Sequence, residues 1–98
     1  MTPPLYTLRV PDDLAELIRH VHPYLKRKVR ASLQIILSEP HAGKALKDEL
    51  AGLRSFRVGK FRIIYRMAPG RVIEIVAIGP REQIYEETYL ILKKEGKS

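Results

Sequence analysis

Apolar positions along this chain recur at intervals of two, then of three and four, then of two again. Leu5 to Val10 (LYTLRV) reads as a short first strand, with Tyr6 and Val10 as good strand formers. Pro11-Asp12-Asp13 marks a helix start, because proline suits the first turn and aspartate suits a cap and the positive helix end. Leu14, Leu17, Ile18 and Val21 then follow the i, i+3, i+4, i+7 spacing that predicts one buried helix face. His22-Pro23 breaks this helix, since the residue before a proline avoids the helical region. A second helix is predicted from Pro23 to about Ser38-Glu39-Pro40, with Leu25, Val29, Leu33, Ile36 and Leu37 as its apolar stripe. Lys26, Arg27 and Arg30 fall largely outside that stripe. Two helices joined this tightly are expected to pack as an antiparallel hairpin.

The second half changes period. His41 to Lys44 reads as loop, and Ala45 to Leu50 as one further helical turn. Three strands are predicted, at about Arg54–Val58, Phe61–Met67 and Val72–Ile78, separated by Gly59-Lys60 and by Pro69-Gly70. The last of them, VIEIVAI, is nearly continuously apolar, which predicts a central strand covered on both sides. A final helix is predicted from Pro80 to Lys94, with Lys93 and Lys94 favourable at its negative end, and Gly96-Lys97-Ser98 is expected to fray. Tyr85, Tyr89 and Leu92 form one stripe of it, beside Ile84, Thr88 and Ile91. The order strand, helix, helix, three strands, helix segregates helices from an antiparallel strand meander and predicts an α+β fold. With no internal repeat, low-complexity run or linker, residues 1–98 are expected to form a single domain.

Composition narrows the partners. Hydrophobic residues make up 45% of the 98, enough for a core. The formal charge is +7, which favours a nucleic acid, an anionic membrane surface or an acidic protein. There is no cysteine, hence no disulfide framework and no thiolate metal site. No apolar stretch approaches the roughly 20 residues needed to cross a bilayer, and no basic region followed by an apolar run opens the chain. A cytoplasmic protein is the simplest reading. His20 and His22 are badly spaced for shared ligation and His41 lies in a loop, so neither a metal nor another cofactor is expected. There is also no glycine-rich phosphate loop and no Ser-His-Asp pattern.

The charge is also concentrated. Between Leu50 and Ile73 stand Arg54, Arg57, Lys60, Arg62, Arg66 and Arg71, with no acidic residue. Because strand side chains alternate between faces, these cations are held on a firm backbone rather than on a flexible tail. A nucleic acid is the first partner to consider. Arg54, Arg66 and Arg71 also read as an ordinary solvated sheet edge, and packing alone accounts for Tyr85 equally well. Tyr65 and Phe61 are expected in the core, on the opposite face from Arg62 and Ile64.

Three segments carry a resemblance to a known family. They are Leu46 to Leu53, the run Arg57-Val58-Gly59-Lys60-Phe61-Arg62-Ile63-Ile64-Tyr65, and Ile78-Gly79-Pro80-Arg81 with Tyr85. In these the chain resembles the RelE/ParE superfamily of small bacterial toxins from type II toxin–antitoxin pairs. The resemblance implies a microbial-ribonuclease-like fold and one of two activities. RelE-like members cleave messenger RNA in the ribosomal decoding site. ParE-like members poison DNA gyrase without catalysis. A third possibility is an inactive member that only binds its antitoxin.

Carried over residue by residue, the resemblance implies a metal-independent endoribonuclease site of Arg57, Arg62, Arg81 and Tyr85. Arg62 would stabilise the phosphate, Arg81 would stand near the leaving group, and Tyr85 would stack on a base or orient the phosphate. RelE uses lysines as base where this chain has Ser55 and Arg57. Lys60 or Lys47 would substitute, because neighbouring cations favour a neutral lysine. Glu49 lies near where other members place a glutamate. Arg54, Lys60 and Arg66 would contact RNA. The implied partners are an acidic antitoxin and messenger RNA on the ribosome, or DNA gyrase in the alternative.

Overall fold

The computed structural model describes residues 6–96. Its centre is a hairpin made by β3 (Arg54–Val58) and β4 (Phe61–Ala68), paired antiparallel so that Arg57 faces Arg62 and Val58 faces Phe61. Only Gly59 and Lys60 remain for the turn, and Gly59 takes a φ of 60°, a backbone region that a residue with a Cβ rarely adopts. β5 (Val72–Pro80) returns antiparallel along the other edge of β4. β1 (Thr7–Arg9) pairs parallel with β5, and β2 (Lys44–Ala45) pairs antiparallel with β3. The sheet therefore has five strands in the order β1-β5-β4-β3-β2.

Helices cover both faces. On one lie α1 (Asp12–His20) and α2 (Pro23–Ser38), whose Val29, Leu33 and Ile36 are buried against Val58, Ile63, Tyr65, Ile73 and Ile75. On the other lies α3 (Arg81–Glu95), whose Ile84 is buried with Leu53, Ile64, Val76 and Ala77. Strand alternation sorts these two cores, with one interruption. The register between β4 and β5 slips at Ile64/Tyr65, so that Val76 and Ala77 both belong to the α3 side. The bulge and the internal position of β5 together explain why VIEIVAI reads as a continuous apolar run.

The α+β class, the second helix and all three later strands follow the sequence reading to within two residues. Three points correct it. Leu17, expected in the core, is 45% exposed, and no residue of α1 is buried. This nine-residue helix reaches the core only through Leu14 and Ile18, so its contact arc is narrower than its apolar stripe. Lys44 and Ala45, expected as loop and helix start, form a strand on the sheet edge, and the helical turn shrinks to a 3-10 turn at Asp48–Leu50. Two residues carry too little pattern to announce a strand. Finally, the sheet is mixed, because β1 joins the meander in parallel. Leu5, and the fraying expected at Lys97 and Ser98, lie outside the described residues.

Tyr65 helps tie the loop after α2 to the sheet. The Tyr65 hydroxyl donates to the Pro40 carbonyl at 2.7 Å and accepts from the Gly43 N–H at 2.9 Å. A Cβ on Gly43 would stand 2.8 Å from that hydroxyl, so glycine is required for the close approach.

Candidate functional site

The turn of the β3–β4 hairpin and the start of α3 meet at one end of the sheet. The backbone N–H of Arg81 donates to the Lys60 carbonyl at 3.0 Å, which fixes the helix start against the turn. Phe61 pairs with Pro80 and Arg62 with Gly79, so the end of β5 lies beside the beginning of β4. Arg57, Gly59, Lys60, Pro80, Arg81 and Glu82 line a cavity of about 470 Å³ at this junction. Arg57, Lys60 and Arg81 are exposed, and Arg62 is half-buried directly opposite Arg57. Among the described residues, none of these four cations lies within ion-pair distance of a carboxylate. Among the described residues the Arg57 side chain makes a single long hydrogen bond, 3.5 Å from Nε to the Gly59 carbonyl.

Like charges placed directly across a strand pair are destabilising, and the pairing of Arg57 with Arg62 breaks that local rule. Such a breach is expected where an anion is to be bound. Two guanidinium groups and an ammonium line this opening, and Arg62 stands across the strand pair from Arg57 without lining it; such a group suits a phosphate, which accepts paired hydrogen bonds from the planar fork of arginine.

The remaining residues singled out in the sequence separate from this cavity. Tyr85 stands one turn further along α3, half-buried, and its hydroxyl shares a hydrogen bond of 3.1 Å with that of the buried Ser55. It packs with the α3-side core and lines a different hollow, together with Glu49, Leu50, Glu86 and Tyr89. Lys47 is exposed just before the 3-10 turn and does not line the cation cavity. Of the three candidate bases, only Lys60 borders that cavity. Glu82, which the sequence reading passed over, also borders it; an acid in the first turn of a helix looks like ordinary dipole compensation.

Arg54 and Arg66, expected to contact RNA, both have partners within the fold. Arg54 is half-buried, with Nε donating to the Gly43 carbonyl at 2.9 Å and Nη2 to the His41 carbonyl at 3.2 Å, and so holds the loop after α2. Arg66 binds Glu74 at 2.7 Å across the strand pair and Glu95 of α3 at 3.3 Å. The hydrogen bond from Arg66 holds the Glu74 carboxyl below its ordinary value, against the opposing effect of burial. The same bond raises the Arg66 guanidinium further. Arg71 remains exposed, 5.9 Å from the centre of the Tyr6 ring. Among the described residues, no group of three or more histidine, cysteine or acidic side chains could hold a metal ion.

A mixed sheet with helices on both faces and a cation-lined hairpin end defines the class, that of the RelE toxin fold. The chain is similar to free RelE from Escherichia coli, in a mutant form, at 17% identity and a TM-score of 0.73, covering 93% of this chain and 97% of that one. It is similar to the toxin–antitoxin complex RelBE2 of Mycobacterium tuberculosis at 28% identity and a TM-score of 0.67, covering 78% of this chain and 98% of that one. It also matches the archaeal RelE–RelB complex of Pyrococcus horikoshii OT3 at 23% identity and a TM-score of 0.65, over 79% of this chain and 96% of that one. Among curated protein sequences none matches. The model for the ParE toxin of the type II toxin–antitoxin system parDE matches residues 5–85, and the chain belongs to that family.

Proposed function

We propose that this protein is a toxin that acts as a metal-independent endoribonuclease, cutting messenger RNA at the ribosomal decoding site and so inhibiting translation. The observation that carries the reading is the cation group at the hairpin end, above all Arg57 facing Arg62, none of which is in an ion pair among the described residues. RNA supplies its own nucleophile. The 2′-oxygen attacks the adjacent phosphorus, the bond from phosphorus to the 5′-oxygen breaks, and a cyclic phosphate remains. Arg57 and Arg62 offset the charge that builds up on the phosphate in the transition state, and Arg81 offsets the charge on the departing oxygen. The 2′-hydroxyl proton goes to Lys60, the candidate base that borders the cavity.

The antitoxin of such a pair is an acidic protein that covers this cavity or displaces α3. Antitoxin complexes of the structurally similar toxins support a partner of this kind. Primer extension on messages after a brief pulse of expression tests the activity. Discrete cuts inside translated codons are expected, with loss of protein synthesis.

The second reading is inhibition of DNA gyrase by protein–protein contact. The family model and the position of Tyr85, outside the cation cavity and bonded to Ser55, favour it. Intact messages together with DNA damage would establish it instead.

A further inference from the structure

Of the 15 residues of α3 only Ile84 and Thr88 are buried, so few apolar contacts decide how this helix is turned against the sheet. Its first turn carries Arg81, which borders the cation cavity. Two contacts reach that turn from the sheet. The Arg81 N–H donates to the Lys60 carbonyl at 3.0 Å, and Ile84 lies against Gly79, where a Cβ would stand 3.1 Å from the Ile84 Cδ1. The first holds a backbone atom at the helix start. The second is a non-directional apolar contact that survives a small rotation. Neither fixes the angle of the helix about its own axis.

A third contact does. Tyr85 follows Arg81 by four residues and so lies on the same side of the helix. Its hydroxyl meets that of Ser55 on β3 at 3.1 Å. Strand alternation places Ser55 on the same face as Leu53 and Arg57, between a core residue of the α3 side and a cation of the cavity. An apolar residue is expected at such a position, and a buried serine breaks the local pattern. Ser55 is 2% exposed, and among the described residues the bond to Tyr85 is the one hydrogen bond its side chain makes. Opening the pair would leave a buried hydroxyl without a partner, so the contact stays closed.

We infer that Ser55 is a positioning residue: through the Tyr85 hydroxyl it sets the rotation of the first turn of α3 and thereby aims the Arg81 guanidinium at the cation cavity. The consequence for catalysis rests on the ribonuclease reading. Tyr85 works here through its hydroxyl and not through the face of its ring. Phenylalanine at this position keeps the ring and its packing with the α3-side core and loses only the tie.

Binding and cutting test this separately, on full-length chains shown to be folded by circular dichroism. In the binding experiment inorganic phosphate is added while the Arg81 Nε–H resonance is followed by NMR. Phosphate should shift that resonance in the parent. Ser55→Ala, Tyr85→Phe and the double variant should all show the same reduced response, since either change breaks one shared bond. Tyr85→Phe carries the measurement if Ser55→Ala fails to fold. In the cutting experiment each single variant should lose about tenfold in single-turnover cleavage of messenger RNA, less than the ~10²-fold cost of a full 1 Å misplacement. Neither should lose anything further when Arg81 is already alanine, because the serine acts through that arginine.

A parent Arg81 resonance that ignores phosphate, or a Tyr85→Phe chain with the parental response, overturns the inference. So do losses that multiply in the Arg81→Ala background, which would place the action of Ser55 elsewhere. Cutting by the parent that neither single variant reduces overturns the positioning role and leaves the ribonuclease reading standing. A phosphate response that depends on the Ser55–Tyr85 bond, in a parent that cuts no message, upholds the positioning role and overturns the ribonuclease reading.

Discussion

Arg62 and Arg66 sit on the same strand, four residues apart and on the same face of the sheet, yet they meet opposite surroundings. Opposite Arg66 stands Glu74, and α3 adds Glu95, so its charge is neutralised within the fold. Opposite Arg62 stand Arg57 on one side and Gly79 on the other, which offer a like charge and no side chain. At one end of the sheet Arg66 is tied to α3, whereas at the other Arg57 and Arg62 are in no ion pair among the described residues. A basic residue in a strand therefore says little until its cross-strand neighbours are known.

The largest expected effect lies at the open end. Arg62→Ala and Arg81→Ala should each lower cleavage about 10²–10³-fold, the usual cost of losing one preorganised contact to transition-state charge. Circular dichroism should show both variants folded. If both folded variants stay as toxic as the parent, the open end is not the working site and gyrase inhibition becomes the better reading.

Next come substitutions at the committed arginines, which should act on stability and not on cleavage. Arg54→Ala removes two hydrogen bonds from a charged group to backbone carbonyls and should cost about 1.5–3 kcal/mol in urea unfolding. Its cleavage per folded molecule should stay near the parent value. A loss equal to that of Arg81→Ala would mean that the whole basic surface binds RNA diffusely and that the two ends do not differ.

A smaller effect is expected from Arg66→Ala, about 1 kcal/mol for a partly exposed ion pair. It carries a pH signature. The Glu74 carboxyl titrates lower in the folded chain than its ordinary value of 4.5, so its contribution is complete above that value. The contribution is lost as pH falls through the lowered folded value. Acid unfolding of the parent should accordingly be steeper in this window than that of Arg66→Ala, and superimposable curves would show that the pair adds nothing.

The smallest expected effect concerns recognition of an acidic antitoxin. Affinity should fall as salt rises, because screening acts on exposed charge pairs such as those Arg57, Lys60 and Arg81 would make. Affinity unchanged from low to high salt would assign the interface to apolar burial, for which the exposed Leu90 and Ile91 of α3 are available.

The sequence by itself determined the elements whose signals are local. Proline at the start of α2, the period of Val29, Leu33 and Ile36, and the Gly59-Lys60 turn each act over a few residues, so their outcome is readable in order along the chain. It also determined that cations would gather near the hairpin, since strand alternation is a local property. What only the tertiary structure decided is which cations are free. The pairing of Arg66 with Glu74 depends on the β4–β5 register set from the turn, Arg62 meets Gly79 because that register slips at a bulge that no local pattern announces, and Glu95 arrives from the far end of α3. The contact of Arg54 with the loop after α2, and the edge strand at Lys44–Ala45, likewise join residues about ten apart through folding and not through pattern. Hydrophobic periodicity reports which face of an element is buried; the partner of a charge is set by register and by the packing of distant segments, and these are properties of the assembled sheet.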